Sequence, residues 1–166
     1  SHLMLMITLA YGCQPGWKVA GLDARSAYLQ SENISRMLLL RLPGQWTPPG
    51  CVPNQVVQAL GAIYGTRDAG RSFYLHAKAT LRSFGFVELS LEKSCYVLMR
   101  DSRPAAVVHT HVDDFLVAYD GSSETRNALD KVKEALKMTE HPEGGFTYRG
   151  LTLGITAGQI RVSQET

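Results

Sequence analysis

The chain lacks any apolar run approaching the ~20 residues that a bilayer-spanning helix requires, which argues against a transmembrane segment. Cysteine is scarce. Cys13, Cys51 and Cys95 are the only three, spaced 38 and 44 residues apart. An odd number at such distances builds neither a disulfide framework nor a zinc cluster. They read as reduced thiols in an intracellular protein, behaving as small apolar residues. The start has no basic stretch and no small-residue cleavage site, so it does not read as a secretory signal. Internal repeats and low-complexity stretches are missing too. Nor is there an excess of one charge: 17 Lys+Arg face 15 Asp+Glu, a net +2, and that total alone points to no nucleic acid.

What is present is a globular composition. At 45% hydrophobic and 19% charged residues, the chain is not an extended disordered one. Its 166 residues suit one domain, or a piece of a larger one. The charge is divided unevenly. Residues 1–100 carry ten Lys/Arg against five Asp/Glu, and residues 101–166 carry seven against ten. A basic first part and an acidic second part hint at an anionic partner.

Hydrophobic periodicity sets out the elements. Residues 5–11 read as the end of a helix, 17–22 as a strand delivering Asp23 at its end, 26–29 as a helical turn and 37–42 as a second strand-like run. Residues 43–53, with four prolines, must be a loop. The clearest helix is 67–84, whose Ala69, Phe73, Ala77, Leu81 and Phe84 make one apolar face between Thr66 as N-cap and Gly85 as terminator. Strands over 95–100, 105–112 and 115–119 are joined by tight turns, the second of them at Asp113-Asp114. An amphipathic helix over 124–138 turns Ala128, Leu129, Val132, Ala135 and Leu136 inward, and a last hairpin turns at Ala157-Gly158. This order predicts an α+β fold, an antiparallel sheet packed by helices on one face.

Two features carry chemistry. His111-Val112-Asp113-Asp114 sets two acids side by side between strongly apolar strands, where Asp-Gly or Asn-Gly would suit a tight turn better. A divalent cation removes the repulsion, and Mg²⁺ favours one or two carboxylates with waters and phosphate oxygens. Asp23, ending its own strand, is the candidate third acid, and it should lie on a strand adjacent to Asp113 with the two carboxylates close enough to share one ion. A plain solvated acidic turn is the competing reading. Separately, Arg67, Arg71, Lys78 and Arg82 fall within about a 60° arc of one helix at 100° per residue, a cationic edge suited to phosphate or simply to solvent.

The boxes resemble the reverse transcriptase of copia-type long-terminal-repeat retrotransposons. The family's Leu-Asp-Val-Lys-x-Ala-Phe-Leu reads here Leu22-Asp23-Ala24-Arg25-Ser26-Ala27-Tyr28-Leu29. Its Leu-Pro-Gly is Leu42-Pro43-Gly44, and its Leu-Tyr-Gly-Leu-Lys-Gln-Ala-Pro-Arg-x-Trp-Tyr is Ile63-Tyr64-Gly65-Thr66-Arg67-Asp68-Ala69-Gly70-Arg71-Ser72-Phe73-Tyr74. Gly85-Phe86 and Lys93-Ser94-Cys95-Tyr96 echo two further boxes. Tyr-Val-Asp-Asp is His111-Val112-Asp113-Asp114, and Leu153-Gly154-Ile155 and Val162-Ser163-Gln164 close the series.

The resemblance implies a polymerase palm with partial fingers over residues 5–166, after a tag remnant at 1–4, with upstream fingers strands, thumb and RNase H lying elsewhere in a Pol polyprotein. It implies an RNA-directed DNA polymerase with Asp23, Asp113 and Asp114 as catalytic, metal-binding carboxylates and Mg²⁺, or Mn²⁺ in its place, as cofactor. The reaction would be two-metal nucleotidyl transfer to a primer 3′-hydroxyl. Tyr28, Arg67, Asp68 and Arg71 would frame the nucleotide, and His111, Lys78 and Arg82 would meet primer or template. Its partners would be an RNA or DNA template-primer, deoxynucleoside triphosphates and the remaining Pol domains, with no membrane, in a cytoplasmic particle or the nucleus. His111, Asp68 and Gly70 depart from the family's Tyr, Gln and Pro. The alternative is a catalytically inactive or domesticated remnant that serves as a nucleic-acid-binding or interaction module.

Overall fold

The computed structural model describes residues 2–31, 34, 36–45, 47–156 and 158–164. Ser1 of the expected tag remnant and Ala157 of the last hairpin turn lie outside the described residues. The chain divides into two compact units, residues 1–25 with 77–166, and residues 26–76.

The larger unit is built on six strands, β1 (Lys18–Ala24), β4 (Phe86–Leu89), β5 (Glu92–Arg100), β6 (Arg103–His111), β7 (Asp114–Tyr119) and β8 (Met138–Glu140). They form one antiparallel sheet in the order β4-β5-β6-β7-β1-β8. Its helices are α1 (His2–Gly12), α4 (Ser123–Ala135) and the latter part of α3 (Ala69–Ser83). A small second sheet adds β9 (Gly145–Tyr148), β10 (Leu151–Thr156) and β11 (Gln159–Ser163).

The mixed α+β, antiparallel expectation agrees with the structure, but helices cover both faces of the sheet rather than one. Along β7, Phe115, Val117 and Tyr119 alternate with Leu116 and Ala118, so the two sets face opposite sides. On the first side α4 docks, its Arg126 donating to the Tyr119 hydroxyl at 3.0 Å and to the Glu140 carboxylate at 2.8 and 3.2 Å. On the other, Leu116 packs with Leu5 and Leu9 of α1 and with Phe146, Tyr148 and Leu153 of the small sheet. Burying side chains of this size contributes roughly 1.5–3 kcal/mol each. The 5–11 run has little polar surface because one face of it is core.

Several boundaries move. α4 ends at Ala135, and Met138, expected in the helix, opens β8, because Lys137 takes φ +49 and breaks the helix. Ala135 is exposed, whereas Thr125 is buried. α3 starts at Ala69, not Arg67, and ends at Ser83, one residue short of the expected 84, before the terminator Gly85, whose φ is +88. The β6–β7 turn is Val112-Asp113, not Asp113-Asp114: His111 and Asp114 are register partners, and Asp114 belongs to β7. Val112 takes φ +57, a conformation that costs a β-branched residue about 1–2 kcal/mol.

The smaller unit holds α2 (Ala27–Gln30), the two-stranded sheet of β2 (Leu38–Arg41) and β3 (Val56–Ala59), and the start of α3. Residues 43–53 carry no helix or strand among the described residues, as their prolines require.

Candidate active site

Asp23 and Asp114 sit directly opposite each other on β1 and β7. The Ala24 N–H donates to the Asp113 carbonyl at 2.9 Å. Ala24 and Asp113 are therefore a hydrogen-bonded pair, and the alternation of an antiparallel ladder makes Asp23–Asp114 the non-hydrogen-bonded pair, with its side chains closer together. The expected neighbours were Asp23 and Asp113. The structure pairs Asp23 with Asp114 and leaves Asp113 in the turn, because the turn falls one residue earlier than the acidic dipeptide suggests.

The pairing extends into a row. His111 on β6 opposes Asp114, Asp114 opposes Asp23, and Asp23 opposes Thr139 on β8. Cross-strand partners share a face, so a histidine, two carboxylates and a hydroxyl line up across four strands. Arg25 Nε donates to the Thr139 hydroxyl at 2.8 Å and ties β8 to the end of β1. One step along the same face is Gly21. There a side chain is excluded: a Cβ would come within 2.5 Å of the Phe146 ring and 2.8 Å of the His141 ring. Those rings stack at 5.4 Å and 7°, and the His141 N–H donates to the Gly21 carbonyl at 2.9 Å.

Electrostatics matches this geometry. Burial raises the pKa of Asp114 above the usual carboxylate range, and the charges of Asp113 and Asp23 push it further. His141 and His111 oppose that rise. Like charges directly opposite in a sheet are destabilising, and among the described residues no ion pair neutralises these acids. Among the described residues, no group of three or more His, Cys, Asp or Glu side chains is arranged to hold a metal ion. The donor set fits Mg²⁺ in a narrower sense: paired hard carboxylate oxygens are what that ion takes, alongside waters and phosphates. Asp23 and Asp114 would hold it, with Asp113 adjacent.

The other expected residues are distributed differently. Tyr28, Arg67, Asp68 and Arg71 lie in the smaller unit. Tyr28 meets Tyr64 edge to face at 4.6 Å, and its carbonyl accepts from the Ser31 hydroxyl at 2.6 Å. Asp68 is not a bare charge. Arg36 donates to both its oxygens, at 2.8 and 3.1 Å, and holds its carboxyl below the usual range. Arg67 precedes α3, while Arg71 is exposed on its first turns.

In the larger unit, Lys78 is ion-paired with Glu88, so it is not the open phosphate contact that the cationic edge implied. Arg82 is exposed in the last turn of α3. Sequence reasoning missed His141 and Thr139. No periodicity marks them, and only the β1–β8 register brings them beside Asp23.

The reverse transcriptase (RNA-dependent DNA polymerase) family matches residues 2–166. The chain is similar to the Retrovirus-related Pol polyprotein from transposon RE1 of Arabidopsis thaliana, 26% identical over 143 residues, which cover 84% of this chain and 9% of that protein. It is similar to its counterpart from transposon RE2 of the same plant, 27% identical with the same coverage. The chain thus spans about a tenth of the length of these curated relatives. With residues 2–166 matched by the family and a paired-carboxylate row at one end of its sheet, the chain belongs to the reverse transcriptase family.

Proposed function

We propose that this chain is the palm, with part of the fingers, of an RNA-directed DNA polymerase from a copia-type retrotransposon, with Asp23, Asp113 and Asp114 as its catalytic carboxylates. The observation that carries the reading is the cross-strand row His111–Asp114–Asp23 beside the turn residue Asp113. The reaction joins a primer 3′-oxygen to the α-phosphorus of a deoxynucleoside triphosphate and releases pyrophosphate. Bound Mg²⁺, or Mn²⁺ in its place, supplies charge neutralisation at the attacking and leaving oxygens.

The protein supplies placement. Asp23 and Asp114 lie on paired strands within a sheet packed on both faces, so their geometry is set before substrate arrives. His111 is exposed at the end of β6, which supports its assignment to the primer terminus. Tyr28, Arg67 and Arg71 are the nucleotide-framing residues of the smaller unit, and Arg82 is a template or primer contact. Asp68 acts through its ion pair with Arg36, which offsets its charge near an anionic nucleotide. The template-primer, deoxynucleoside triphosphates and the other Pol segments are the partners, in a cytoplasmic particle or the nucleus. No helix among the described residues is long and apolar enough to cross a membrane.

The test is extension of a DNA primer on an RNA template, with Mg²⁺ or Mn²⁺, by a folded sample carrying the flanking Pol regions. Extension that disappears with Asp113→Asn and Asp23→Asn supports the reading. Absence of extension overturns it, and salt-dependent binding without extension is the result expected of a non-catalytic remnant.

A further inference from the structure

The strands that carry the carboxylates at one end carry a different cluster at the other. Arg100 and Arg103 are register partners across the β5–β6 hairpin, pinned by a two-residue turn in which Asp101 and Ser102 take φ +44 and +61. The two arginine side chains therefore leave the backbone side by side at the hairpin's tip. Like charges in that position repel, and among the described residues neither arginine has an ion-pair partner.

They line a cleft of about 500 Å³, within the range of small-ligand sites, together with Trp17 and Asp120. Trp17 meets Tyr11 at 4.9 Å, with the rings tilted by 39°, and lines the cleft. The cleft also holds Asp101. Asp120 is engaged locally, accepting from the Ser122 N–H at 3.0 Å and its hydroxyl at 2.8 Å. Two cations thus face two acids, around an aromatic ring.

We propose that Trp17, Arg100 and Arg103 form a second nucleic-acid contact, which takes one nucleotide of a single strand. Its base stacks on Trp17 and its phosphate lies between the two guanidinium groups. Paired arginines suit a phosphate by geometry as well as charge. A ring face beside them suits an unstacked base, which a single strand offers and a duplex does not. An acidic peptide would use the cations and leave the ring idle. The cleft is separate from the carboxylates: Tyr119, opposite Lys18, is five residues along β7 from Asp114, roughly 17 Å at the rise of a strand. The inference requires binding only and stands whether or not the chain polymerises.

The chain has two tryptophans, Trp17 and Trp46, so Trp46→Phe leaves Trp17 as the sole indole reporter. In that background the 166-residue chain is titrated with an eight-nucleotide oligo(U). The expected result is saturable quenching of Trp17. Arg100→Glu with Arg103→Glu should weaken the affinity by about tenfold or more, on the scale of one base and its phosphate. In Arg100→Gln with Arg103→Gln, the salt dependence should shallow by roughly 0.7 log units per log unit of salt, one single-strand phosphate contact. Circular dichroism checks that the variants fold, and Asp114→Asn should leave the quenching unchanged. Absence of quenching overturns the proposal. So does equal quenching by uridine monophosphate at the same nucleotide concentration, which would make the cleft a free-nucleotide site. So does equal competition by polyglutamate, which would make it a generic anion surface.

Discussion

The Tyr148 hydroxyl lies 3.0 Å from both the carbonyl and the Nδ1 of His109. A phenol has one proton, so it donates to the carbonyl while the imidazole Nδ1–H donates to the phenol oxygen. The pair joins β9 of the small sheet to β6 of the large one, and both residues are almost fully buried. Burial pushes the His109 pKa down to about 4, with a smaller push from Arg149 and opposition from Glu92.

The first prediction is a pH dependence of stability. An unfolded histidine titrates near 6.5. Between 6.5 and about 4 the unfolded chain therefore holds a proton that folded His109 does not. The contribution of neutral His109 is complete above that window and is lost as pH falls through it, by roughly 3 kcal/mol in all. Urea unfolding at several pH values between 7.5 and 4, compared with His109→Asn, checks this. An equal fall in stability for both proteins would refute it.

Gly21→Ala tests how the row of acids is framed. The added methyl would have to displace the Phe146 ring at 2.5 Å or the His141 ring at 2.8 Å. Phe146 belongs to the core cluster, so it has little room to move. The expected cost is about 1–3 kcal/mol, seen as a lower urea midpoint. The His141 ring resonances should shift as its stack on Phe146 is disturbed. An unchanged midpoint would mean that the contact at Gly21 is looser than described.

Much of this was legible in the sequence, for definable reasons. The α3 apolar stripe and the β5, β6, β7 and β10 runs have strong periodicity, and the turns between them are short, so antiparallel neighbours followed. Strands β3, β4, β8 and β9 have three or four residues each, too few for a pattern to stand out in the sequence, so only tertiary pairing defines them. Asp23, Asp113 and Asp114 could be gathered as one candidate site. Which acid faces which could not, because that depends on a turn at Val112-Asp113 whose positive φ no valine advertises. The cationic edge was misjudged at Lys78 because its partner, Glu88, lies on β4, a strand the periodicity did not reveal.

Lys78 distinguishes a structural cation from a ligand contact. Its ion pair with Glu88 is largely shielded, with the lysine side chain 27% and the glutamate 15% exposed. Lys78→Met should therefore lower stability by about 1 kcal/mol or less, a fall in Tm of about 2–4 °C at most. Its affinity for a template-primer and the salt dependence of that affinity should remain those of the parent chain. A salt slope shallower by roughly 0.9, one duplex phosphate contact, would instead make Lys78 part of the interface.

Asp23→Asn separates function from stability at the carboxylate row. Removing one of two facing charges relieves a repulsion worth roughly 0.2–1 kcal/mol, so the variant should melt slightly higher than the parent in the absence of divalent ions. The Asp114 carboxyl, raised by burial and by the charges of Asp113 and Asp23, should titrate lower once Asp23 is neutral, a change readable by carboxyl NMR shifts. Added Mg²⁺ should then reverse the order. An ion that binds the folded state stabilises it in proportion to the logarithm of its excess over Kd, and only the parent keeps both facing carboxylates. The Tm of the parent should climb with Mg²⁺ concentration while that of the variant stays nearly flat. Equal Mg²⁺ responses in the two proteins would exclude Asp23 from the metal-binding pair.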